Sequence, residues 1–191
     1  MITIVSGLPR SGTSLMMQML AAGGMPVLAD GVRKADSDNP MGYYELERVK
    51  SLKEDSSWLR EADGKVFKMI YLLLYDLPAN GTYRVVFMER HIDEVIASQK
   101  IMLQRRGQPG GGLSDTELKS AFVRHLDRVK QWLAGRPNFS VLYVNYNQLV
   151  TNPESVVFDL VRFLGPGLDA RRMAAAVDPA LYRQRRPARS S

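Results

Sequence analysis

Cysteine is absent from this sequence, and histidine occurs only at His91 and His125. The first absence excludes disulfides, thiolate nucleophiles and zinc–sulfur centres; the second excludes a histidine-rich metal site. No internal repeat or low-complexity tract is visible. The apolar patch "MIYLLLYDL" (69–77) is far too short to cross a bilayer. The apolar start "MITIVSGL" has no basic stretch ahead of it and soon meets Arg10, so it does not read as a signal peptide. A cytoplasmic protein is the expectation. A net charge of +6 is compatible with anionic partners, yet no nucleic-acid motif accompanies it. Part of the excess lies in a basic C-terminal tail, residues 178–191, which reads as a solvated terminus.

What is present fits one globular domain. The 191 residues are 45% apolar and 24% charged, enough to bury a core. Four segments read as strands: "MITIVSGL", "KVFKMI" (65–70), "YRVVFMER" (83–90) and "FSVLYVNY" (139–146). Their apolar runs are mostly continuous, which suits strands covered on both faces. Helices are expected over 13–22, 45–55, 93–106 and 114–134, with a last long one from Asn152 to Gly165. Ser114 and Glu117 fit a capping box, and Pro153 suits the first turn of the last helix. Strands alternating with helices predict a three-layer α/β domain with a mainly parallel sheet. Two loops stand out as lids or binding segments, 29–44 and the glycine-rich 106–112.

The first strand runs into "SGLPRSGTS", Ser6 to Ser14. Gly7 and Gly12 have the separation of a Walker A loop, but Thr13 stands where the lysine belongs. A strand, a glycine-bearing loop and a helix start converge backbone N–H groups on an anion. Gly7 and Gly12 permit the tight backbone, Ser11, Thr13 and Ser14 offer further donors, and Arg10 can grip oxygens in a bidentate manner. No strand ends in a Walker B aspartate; the third ends Met88–Glu89–Arg90, where an arginine would repel a metal ion and attract a second phosphate. These features predict a nucleotide with a 5′ anionic group and no metal.

The loop "GLPRSGTS" together with "ERHIDEVIAS" resembles the P-loop sulfotransferase family, which uses 3′-phosphoadenosine-5′-phosphosulfate (PAPS). The resemblance, over roughly residues 2–165, implies a three-layer P-loop nucleotide-binding fold. It implies that the Gly7–Ser14 loop binds the 5′-phosphosulfate, that Arg90 and Ser98 bind the 3′-phosphate, and that Tyr146 contacts the adenine. The implied reaction is in-line attack of a hydroxyl or amine acceptor on sulfur, releasing 3′,5′-adenosine bisphosphate (PAP). Cations aimed at the bridging oxygen stabilise the transition state; Arg10 is the first candidate, and Lys68 in "VFKMI" resembles the family's strand lysine. The family's cytosolic members place a histidine two residues later, where this chain has Ile70. A carboxylate is therefore expected as general base, with Glu45 preferred and Glu47 and Asp38 as rivals. The family's C-terminal glycine-and-lysine element is missing, leaving "LYRQRRP" as its possible replacement. A metal-dependent P-loop small-molecule kinase and a non-catalytic nucleotide-binding relative remain as alternatives.

Overall fold

The structure, a computed structural model, describes residues 1–32, 36, 42–108 and 112–181. Asp38, parts of both long loops and nearly all of "LYRQRRP" lie outside these residues.

The four expected strands form one parallel sheet: β1 (Ile2–Gly7), β2 (Val66–Lys68), β3 (Tyr83–Glu89) and β4 (Phe139–Asn145), in the order β2-β1-β3-β4. Register pairs Ile4 with Phe67 on one side and with Val85 on the other. Side chains alternate between two cores. Ile4, Phe67, Val85 and Phe87 face one, while Val5, Val66, Val86 and Met88 face the other. Helices α1 (Thr13–Ala22), α4 (Tyr146–Thr151), α5 (Pro153–Leu164) and α6 (Ala170–Ala175) contribute to the second core. Helices α2 (Ile92–Arg105) and α3 (Asp115–Ala134) contribute to the first. The result is the expected three-layer α/β arrangement.

The helix ends follow their sequence signals. Ser114 and Glu117 form the reciprocal capping box, and Asn152 caps α5 with Pro153 in its first turn. Among the described residues no helix is long and apolar enough to cross a membrane.

Two expectations fail. The helix over 45–55 is a single 3₁₀ segment, Glu47–Ser51, and Glu45 precedes it in non-helical backbone. The buried residues explain why: Leu46, Val49 and Leu52 recur every third residue, the period of a 3₁₀ turn rather than of an α-helix. A further 3₁₀ segment follows at Ser57–Ala62, and the same spacing in Tyr71, Leu74 and Leu77 accompanies a third, Tyr71–Asp76, from the apolar patch after β2. β4 is also less covered than its apolar run suggested. It ends the sheet, and Tyr143 and Ser140 are exposed.

Candidate functional site

The strand order fixes where a ligand can sit. From β1 the chain moves to β2 on one side and then to β3 on the other, so the chain reverses direction between β1 and β3. In open parallel sheets the crevice at such a point, beyond the strand C-termini, is the ligand site. A cleft of about 400 Å³ opens there. It brings together Gly7, Arg10, Gly12, Thr13, Ser14, Glu45, Lys68, Arg90, Ser98 and Tyr146. Ser11 lies beneath its floor. It is buried, and its Oγ donates to the Leu8 carbonyl at 2.7 Å, closing the loop rather than facing the cleft.

The loop after β1 depends on its glycines. Gly7 has φ +148°, and a Cβ there would lie 2.5 Å from the Met88 carbonyl on β3. Gly12 has φ +97°, and a Cβ would lie 2.3 Å from Cδ2 of Tyr146. Arg10 also has positive φ, +69°, a sparsely populated conformation for a residue with a side chain. Held that way, its Nε donates to Ser98 Oγ on α2 at 3.0 Å. The loop and the second candidate anion site are thus in direct contact.

Arg90 sits just past the end of β3 and its side chain is only 7% exposed. Its Nε donates to Glu94 Oε2 at 3.0 Å, and a second guanidinium N–H donates to the Arg10 carbonyl at 3.2 Å. The Tyr146 ring lies 4.5 Å from the guanidinium carbon, a cation–π contact. The Arg90–Glu94 ion pair is buried, and Arg90 itself lines the cleft.

Another part of the cleft wall is carried by the segment before the first 3₁₀ turn. Tyr44 has φ +52° and precedes Glu45, which lines the cleft. The Lys68 ammonium donates to the Tyr43 carbonyl and, at 3.3 Å, to Ser14 Oγ. Lys68 therefore joins β2, Ser14 at the end of the glycine-bearing loop, and the Glu45 segment. Glu47 lines the same wall but is ion-paired with Lys50 at 2.6 Å. Ile70 is 44% exposed and also lines it.

Sequence reading missed several cleft residues. Arg105 stands seven residues after Ser98 on α2, and both it and Arg106 line the cleft; the two-turn spacing from Ser98 was the available signal. Asp178, from the segment after α6, reaches the cleft with no sequence signal. Among the described residues no group of three or more His, Asp or Glu side chains could hold a metal ion. Chemically, the cleft combines cations, among them Arg10, Lys68, Arg90, Arg105 and Arg106, with the carboxylates of Glu45, Glu47 and Asp178.

No curated protein matches this chain. A sulfotransferase domain model matches residues 113–185, which span α3, β4 and the C-terminal helices and do not include the Gly7–Ser14 loop. Among solved structures, the chain is similar to a sulfotransferase from Mycobacterium tuberculosis with a TM-score of 0.55 and 18% identity, covering 91% of this chain and 70% of that one. It is also similar to a sulfotransferase domain from the curacin biosynthetic pathway, with a TM-score of 0.49, 16% identity and coverage of 98% and 92%. A sugar kinase from a Janibacter species gives a TM-score of 0.44, 13% identity and coverage of 94% and 96%. At 18% identity the likeness to the Mycobacterium tuberculosis sulfotransferase shows a shared α/β fold alone.

Proposed function

Taking as premise the sulfotransferase-family assignment that the domain match and the shared fold support, we propose that the chain transfers a sulfuryl group from PAPS to a hydroxyl or amine acceptor and releases PAP. The observation that carries the reading is the contact between Arg10 and Ser98, which joins the phosphate loop to the Arg90 region in one cleft. A donor with anionic groups on both its 5′ and 3′ sides requires two adjacent anion sites. The donor set fits: Arg10 and the loop N–H groups serve the 5′ side, while Arg90 and Ser98 serve the 3′ side. Tyr146, packed close to Gly12 and 4.5 Å from the Arg90 guanidinium carbon, is the residue this reading sets beside the adenine.

PAPS, when bound, supplies an activated sulfuryl group. Arg10 and Lys68 then oppose the negative charge that grows on the leaving oxygen, each donor of this kind being worth roughly 10²–10³ in rate. Lys68 has Ser14 Oγ and the Tyr43 carbonyl as its protein partners, which orient it toward the loop. Glu45, which lines the same cleft, accepts the acceptor's proton. Ile70, in the position of the family's histidine, leaves that role to a carboxylate.

Turnover of sulfur-labelled PAPS against a panel of alcohols, phenols and amines, in EDTA, tests the reading. Label transfer to an acceptor is the expected result. Transfer from ATP that requires Mg²⁺ would identify the kinase alternative. Tight PAP binding with no transfer to any acceptor would identify a non-catalytic relative.

A further inference from the structure

Glu94 is a buried carboxylate, 4% exposed, to which the reaction assigns no role. It stands in the first turn of α2, where the helix dipole favours a negative charge. One of its oxygens accepts from Arg90 Nε at 3.0 Å. Both accept from the side-chain amide of Asn147, at 3.1 and 3.0 Å. Asn147 follows Tyr146 at the start of α4, so two consecutive residues of one helix control the same guanidinium in different ways. Tyr146 covers its flat face, and Asn147 holds the carboxylate that grips its Nε edge. The Arg10 carbonyl takes a further N–H.

Three contacts from three segments define the plane of a planar cation, and a guanidinium delivers directional hydrogen bonds only when that plane is set. We propose that Asn147 and Glu94 are positioning residues that fix Arg90 for recognition of the nucleotide's 3′-phosphate. The inference rests on the proposed PAPS reading. Neither residue touches the ligand in this account; both act through Arg90. Glu94 also partly neutralises Arg90, which taken alone would weaken anion binding. The Asn147 contribution isolates orientation from charge, because replacing it leaves the ion pair's charges in place.

The test is a double-mutant cycle measured by calorimetry with PAP and 5′-AMP. Asn147→Leu, with Asn147→Ala as a second variant should leucine not fold, is expected to lower the preference for PAP over AMP about tenfold. AMP affinity should stay within about twofold. In an Arg90→Ala background the same substitution should have no further effect on the preference, since contacts that act through a common residue do not add. Additive losses, or an equal weakening of PAP and AMP, would overturn the inference by reducing Asn147 to a structural residue. A parent protein with no preference for PAP would instead contradict the donor reading itself, so the two failures are distinguishable.

Discussion

The wall of the cleft built around Arg10, Arg90 and Ser98 rests on two strand ends and two helix starts, whereas the wall carrying Glu45 rests on irregular backbone ahead of a 3₁₀ turn. The first wall is buried and cross-linked: Arg10 contacts Ser98, Arg90 contacts the Arg10 carbonyl and Glu94, and Glu94 contacts Asn147. The second wall is tied to the first through Lys68 and Ser14 at the Tyr43 carbonyl. A constant ligand needs fixed donors, and regular elements supply them with little backbone freedom. A variable acceptor is served by segments whose conformation regular hydrogen bonding does not dictate. In this account the first wall belongs to the donor and the second to the acceptor.

The strongest way to break that division is to damage the first wall at its base. In Gly7→Ala the new methyl meets a backbone carbonyl of β3 that cannot move without parting the central strands. Strain and overpacking together should cost roughly 2–5 kcal/mol. A large drop in Tm and loss of PAP binding are expected by thermal denaturation and calorimetry; an unchanged Tm would show that the loop is not held as described. On the second wall, Glu45→Gln keeps shape and removes basicity. Steady-state kcat on an identified hydroxyl acceptor should fall roughly 10²-fold or more, with PAP affinity nearly unchanged. A parallel collapse of PAP affinity would mean that Glu45 organises the donor site, and the two walls would not be separable.

Arg90→Ala sharpens the comparison from the donor side. Loss of a charge-assisted contact should weaken PAP by roughly 10- to 100-fold relative to AMP, and calorimetry on the two nucleotides measures it. A smaller effect concerns Asp30, whose carboxylate accepts the backbone N–H groups of Glu47 at 2.5 Å and Val32 at 3.0 Å. Those bonds hold its pKa below the usual carboxylate value. A carboxyl depressed in the folded state adds stability above its unfolded pKa, near 4, and loses it as pH falls through the lower folded value. Asp30→Asn should therefore lower Tm at neutral pH, with the difference from the parent shrinking below about pH 4. A constant difference across that range would contradict the assignment.

The same contrast explains how much could be read in advance. The four strands, α1, α3 and α5 were legible because continuous apolar runs, caps and terminators all pointed one way, as at Ser114–Glu117 and Asn152–Pro153. The Gly7–Ser14 loop was legible because its residues are contiguous, whereas its convergence with Ser98 was not readable from spacing and rested on the family resemblance. Spacing alone could not reveal the Glu94–Asn147 contact, which spans 53 residues and exists only once α4 packs beside α2. The Glu45 segment was misread as α-helical because its polar residues matched a helix surface. The three-residue period of Leu46, Val49 and Leu52 was the contrary signal.

The central claim is that the Arg10–Ser98–Arg90 wall recognises a nucleotide phosphorylated on both its 5′ and 3′ sides without a metal. The most direct measurement is calorimetric titration of the parent protein with PAP and with 5′-AMP, each in EDTA and in Mg²⁺. The account predicts PAP binding at least about tenfold tighter than AMP, unchanged by chelation. Equal affinity for the two nucleotides, or binding that vanishes in EDTA and returns with Mg²⁺, would contradict it.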